Sequence, residues 1–253
     1  MTTRHLVRAE YLKLRTTRVV WALFGATVAL SAASVAGTVS TFSEPGSAVE
    51  LASAQGIRGV MNAADAGSLF VLVLAILAVT GEFRHGTAAQ TFLAEPRRER
   101  VVAAKLITFA LVGLAFSIVA SAVSVAIALP WLDAKGVSVP LAHREVRLVL
   151  TGVVVASVLY GLVGVGVGAL VRNQAAAVVG SVVWLLVVEG VFINLVPDVG
   201  AWLPGGAAAG LTRGILLSGE ELLPMWAGGL LFLGYSVVLA GIGTRAVLRR
   251  DAV

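Results

Sequence analysis

Long apolar runs alternate with short polar breaks along this chain. The runs cover roughly 19–41, 66–80 (extendable through Phe83), 101–129, 148–171, 175–196 and 225–248. Each can cross a hydrocarbon layer ~30 Å thick as a helix with some tilt. Helices are required, because lipid offers no hydrogen-bond partner to backbone N–H and C=O groups. The runs are too long and too continuous for the alternating strands of a membrane barrel. The pattern predicts an all-α, polytopic membrane protein: six transmembrane helices forming a single transmembrane domain over 1–253.

Composition points the same way. Mean hydropathy is +0.94, 58% of residues are hydrophobic and 13% are charged, too little polar surface for a water-soluble domain of this length. There is no cysteine, which excludes disulfide and thiol chemistry. A net charge of +5 would point to nucleic acid in a soluble protein. Here the basic residues flank apolar runs, so they read as orientation signals, and no nucleic-acid partner is expected. With the N-terminus inside, fourteen Lys and Arg fall on inner segments and five on outer ones. The excess predicts both termini in the cytoplasm. Most acids then fall outside: Glu44, Glu50, Asp65, Asp133, Glu145, Asp198, Glu220 and Glu221. The first run, at about 22 residues, exceeds the ~7–15 of a signal-peptide core, so it reads as a retained anchor.

Residues 1–18 read as an interfacial helix. At ~100° per residue, Arg4, Arg8 and Arg15 share one side, with Leu6 and Ala9 nearly opposite. Glu10 and Lys13 spoil the apolar side. Such a helix can lie on anionic lipid or pack on a partner.

The polar break at 81–100 is the most informative segment. Glu82 follows the second run directly, where a carboxylate is costly unless paired or hydrated. Arg84, Arg97, Arg98 and Arg100 are close in sequence. Gly86 permits a sharp bend. Thr87 and Gln90 have capping-box spacing, so a short helix is predicted to start at Thr87 and run to Ala94, ended by Pro96. Held between two spans, it could transmit force. An ordinary polar loop carrying positive-inside arginines is the alternative.

Between the last two runs, residues 197–224 form an outer segment too short to span twice. Trp202-Leu203-Pro204-Gly205-Gly206 interrupts it, and a re-entrant or interfacial hairpin is predicted. Glu189 is the one acid inside a predicted span, about 14 residues in, or ~21 Å along a helix. It either lies on a translocation path or pairs with an outer arginine such as Arg213. Trp184, deeper than the other tryptophans, either lines a cavity or packs. Gly161, Gly164, Gly166 and Gly168 mark a face for close helix approach, within the subunit or across a dimer seam.

Enzymatic readings find little support. A nucleotide-binding P-loop needs G-x-x-x-x-G-K-[ST], and none of Lys13, Lys105 or Lys135 sits in one. Residues 217–220, Leu-Ser-Gly-Glu, echo an ATPase signature without its context. His5, His85 and His143 all lie outside the runs, leaving no base at membrane depth for a protease and no metal motif.

Three stretches resemble a known family. Glu82-Phe83-Arg84-His85-Gly86-Thr87, followed by Leu93-Ala94-Glu95-Pro96-Arg97-Arg98 and Ala103-Ala104-Lys105, is similar to a segment of ABC-2 type transporter permeases, especially actinobacterial ones. Glu10-Tyr11-Leu12-Lys13-Leu14-Arg15-Thr16 resembles the start of such proteins. Leu203-Pro204-Gly205-Gly206-Ala207-Ala208 resembles an element before their last span. The resemblance implies six spans, an N-terminal elbow helix (Arg8, Lys13, Arg15), a cytoplasmic coupling helix over Thr87–Ala94 and an external re-entrant hairpin. It implies a permease that is itself no enzyme, paired with a second permease as a homodimer or heterodimer. An ABC ATP-binding subunit would carry ATP and Mg, so this chain would hold no cofactor. Glu82, Arg84, Thr87, Gln90 and Leu93 would contact that subunit. The implied activity is export of a hydrophobic or amphiphilic substrate from a bacterial cytoplasmic membrane. Without an ATPase, the alternative is an ion- or proton-coupled transporter using Glu189. The resemblance places no substrate-contacting residue.

Overall fold

The computed structural model describes residues 3–44, 46–47, 49–215 and 222–249, with backbone only for 248 and 249. Glu220, Glu221, the echo at 217–220, Arg250 and the Arg249 side chain therefore lie outside the description. No strand pairs into a sheet among the described residues; the chain folds as helices packed on helices.

Helix α1 (Thr3–Thr16) precedes α2 (Arg18–Phe42), the first span. The second span differs from the sequence expectation. It begins at Ala54, not at 66, as α3 (Ala54–Asn62), passes through a 3₁₀ turn (Ala63–Gly67) and continues as α4 (Ser68–Arg84). Asp65 therefore sits inside a span rather than in an outer loop. A run of 66–80 alone is short for a bilayer, and Ala54, Ile57, Val60 and Met61 supply the missing length.

Next come the short α5 (Thr87–Ala94), the long α6 (Arg98–Ala134) and α7 (Arg144–Val171). The fifth span is α8 (Gln174–Val183), a π-helical turn (Trp184–Glu189) and α9 (Gly190–Leu195). Helices α10 (Pro197–Gly200) and α11 (Pro204–Leu211) lead to the last span, α12 (Met225–Arg249). Pro204 opens α11, where its missing N–H costs nothing. These are the six membrane-spanning helices of a multi-pass membrane protein.

Helix α7 is the axis of the bundle, packed by α4, α6 and α12. Its glycines set these contacts. A Cβ on Gly161 would meet the Phe109 carbonyl of α6 at 2.5 Å, and one on Gly164 would meet the Leu72 carbonyl of α4 at 2.6 Å. Gly168 faces Val79 of α4, and a Cβ on Gly166 would lie 2.6 Å from the Leu239 backbone of α12. The glycine face thus serves packing within the subunit, where small residues let backbones meet. The outer spans are less enclosed. Trp21, Trp202 and Trp226 are exposed near helix ends, as interfacial tryptophans are.

Candidate functional site

The short helix expected after the second span is present with the expected bounds, as α5 (Thr87–Ala94). Gly86, at φ +68°, turns the chain out of α4 and into α5; glycine takes this left-handed conformation without strain. The capping box does not form. Thr87 is the first helical residue, not the cap, and its hydroxyl donates to the Glu82 carbonyl at 3.5 Å. Helix α5 rests on buried Ala88 and half-buried Phe92, one turn apart, and Arg98 stacks over the Phe92 ring at 5.1 Å. Its other side is open: Thr87, Gln90 and Leu93 are exposed, Leu93 at 83%. Arg84 is also exposed and donates to Gln174 at the start of α8, at 3.1 Å.

Above α5 lies a closed ring of four charges. The Lys13 ammonium donates to Glu10 at 2.7 Å and to Glu82 at 2.8 Å. The Lys105 ammonium donates to Glu10 at 2.8 Å and to Glu82 at 2.7 Å. Cations and anions alternate, and three helices meet: α1, α4 and α6. Lys105, Glu10 and Glu82 are largely buried, while Lys13 is open on one side. Burial alone would raise the Glu10 carboxyl, but the charges and hydrogen bonds of Lys105 and Lys13 outweigh it and hold it below the ordinary value. Burial likewise works against the Lys13 charge, and Glu10 and Glu82 overcome it, pushing its pKa above the ordinary value.

The ring explains why α1 looked poorly amphipathic. Glu10 is buried in line with Leu6 and Leu14, one turn to either side, while Arg4, Arg8 and Arg15 face outward. Ala9, expected opposite the arginines, is exposed. Sequence reasoning gave Glu82 arginine neighbours; its partners are lysines. Lys105 and Glu10 were missed as site residues. The available signal was that Glu10, Lys13, Glu82 and Lys105 all belong to the stretches carrying the family resemblance.

Four charged residues drawn from separate motifs converge on one buried ring beside a short, outward-facing helix, on a frame of six spans. A family model described as "ABC-2 family transporter protein" matches residues 6–188, nearly three quarters of the chain and all four ring residues. The chain belongs to the ABC-2 transporter family. It is a membrane permease of that family, a transport subunit. No curated protein matches it significantly.

At the opposite end of this ABC-2 permease, Glu189 is fully buried. The π turn brings the Trp184 indole N–H onto one carboxylate oxygen, and the Gly205 backbone N–H at the start of α11 donates to the other. A carboxylate at a helix N-terminus meets unpaired amides and the positive end of the helix dipole. Glu189 thus clasps the α10–α11 segment to the fifth span. The expected alternative partner, Arg213, instead pairs with Glu145 at 2.6 Å, and Arg58 of α3 joins the same carboxylate. Glu145, expected in an outer loop, is the second residue of α7 and ties three segments together. Trp184 is half exposed and, with Glu189, lines an apolar cavity of about 560 Å³ between α8 and α12.

Proposed function

We propose that this permease exports a hydrophobic or amphiphilic compound across a bacterial cytoplasmic membrane, driven by ATP hydrolysis on a separate nucleotide-binding subunit. ATP and magnesium belong to that partner. The observation that carries the reading is the charge ring, which fastens α1 and α6 to the end of α4 from which α5 projects. Helix α5 is a projecting handle whose backing is rigid, with Leu93 offered to a docking groove. In this reading α1 is the elbow helix, α5 the coupling helix and α10–α11 the external hairpin. The excess of basic residues on the α5 side supports placing that side, and both termini, in the cytoplasm.

Closure of the nucleotide-binding subunits on ATP would move α5, and the ring would pass that displacement to α4 and α6 together. Because the partner supplies the energy, it must engage the permease differently in two conformations. A second permease, identical or homologous, completes the pathway.

The test is co-purification with the ATP-binding subunit and substrate-stimulated ATP hydrolysis in proteoliposomes. Gln90→Lys/Leu93→Asp changes only exposed positions, so it should preserve folding while abolishing co-purification. Transport that continues without any ATPase and disappears in Glu189→Gln would overturn the reading in favour of an ion-coupled carrier.

A further inference from the structure

We propose that two adjoining cavities beside Tyr160 bind a lipophilic organic cation, with its charge at Asp65 and its apolar body against Trp184 and Phe232. This names a substrate class for the proposed exporter and rests on that reading.

The first cavity, about 460 Å³, has a polar lining of Ser34, Thr38, Asn62, Asp65, Ser68 and Tyr160. Asp65 projects from the 3₁₀ turn that interrupts the second span. Its carboxylate accepts from the Ser68 hydroxyl at 2.6 Å, and Ser68 shares a 2.7 Å hydrogen bond with Ser157 of α7. Among the described residues it pairs with no Lys or Arg. The second cavity, the apolar one described above, adds Phe232 and Tyr235 to Trp184. Tyr160 and Leu185 line both, so the two cavities meet at these side chains, across which the proposed ligand would lie.

Charge and shape select the occupant. No Lys, Arg or His lines either cavity. A carboxylate inside a span is costly and marks substrate or ion pathways. An anion would face Asp65 with nothing to offset it, and a neutral compound would leave the carboxylate's charge uncompensated. A cation offsets the carboxylate, and the aromatic faces of Tyr160, Trp184 and Tyr235 add attraction for positive charge. Each cavity falls in the ~300–1,000 Å³ range of small-molecule sites.

The probe is tetraphenylphosphonium, titrated by equilibrium dialysis against the purified permease in nanodiscs of zwitterionic lipid, with no ATPase present. Saturable binding is expected, with little competition from uncharged triphenylphosphine oxide. Asp65→Asn should weaken it at least tenfold. Ser34→Lys, which places a cation in the lining, should abolish it, and remains informative if Asp65→Asn does not fold. Asp133→Asn, outside both cavities, should bind as the parent does. Absence of saturable binding, equal binding of the neutral compound, or unchanged affinity in both Asp65→Asn and Ser34→Lys would overturn the proposal. Because no ATPase enters the assay, such a failure is separate from a failure of partner docking.

Discussion

Glu10 and Lys105, 95 positions apart in sequence, share a 2.8 Å hydrogen bond and are almost wholly enclosed. The bond makes the N-terminal helix an integral part of the bundle. Removing one partner of such a pair strands a buried charge, at a typical cost of ~3–5 kcal/mol. Lys105→Met is expected to lower stability by about that much in thermal unfolding of the detergent-solubilised protein. Lys13→Ala, at the solvent-open corner, should cost only ~0.2–1 kcal/mol. Equal losses in the two variants would show that the ring is not organised around Lys105.

The ring also predicts a pH window. Glu10 is held below its ordinary value of 4.5, so its contribution is present above pH 4.5 and is lost as pH falls through the lowered folded value. Lys13 is held above its ordinary 10.5, so its contribution is present below pH 10.5 and is lost as pH rises through the raised folded value. Docking of α1 should therefore be constant between those limits and weaken outside them, sooner in acid than the ordinary carboxylate value would allow only if the Lys105 contact is removed. Spin labels at Leu12→Cys and Ile107→Cys, both exposed positions, would report the α1–α6 separation across that range in a chain otherwise free of cysteine.

The clasp at Glu189 can be dissected by substitution. Glu189→Gln retains one carbonyl oxygen for two donors, and Glu189→Leu retains none. Leaving a buried donor unpaired costs ~1–3 kcal/mol, so loss should rise from Gln to Leu. Hydrogen exchange at the Gly205 amide should accelerate in the same order, while amides of α7 keep their protection.

The glycine face of α7 sets a steric test. Gly164→Leu would drive a side chain into the Leu72 carbonyl and Ala75 of α4. Overpacking costs typically ~1–3 kcal/mol, occasionally more. Gly234→Leu on α12, where nothing lies within 4 Å, is the matched control and should leave the unfolding temperature unchanged.

Much of this architecture was legible in one dimension. Apolar run length gave six spans, and Gly86 and Pro96 bracketed α5, because glycine permits a left-handed bend while proline fixes its own φ and lacks a backbone donor. The second span was misjudged because α3 mixes Gln55, Arg58 and Asn62 with its apolar face, diluting the signal that a membrane helix normally gives. The arginines near Glu82 in sequence are not its partners, since pairing follows three-dimensional proximity: Lys105 lies about two turns into α6, level with the end of α4. The engagement of Glu189 with Gly205 depends on a π turn and a loop reversal, neither of which has a periodicity to read.

The glycine contacts of α7 bear on how this permease can move. A rod gripped backbone-to-backbone on several flanks cannot slide or rotate without breaking all its seams at once. A displacement of α4 and α6 must therefore carry α7 along as one block, and excursions relative to that block are left to its loosely held perimeter, the first and fifth crossings.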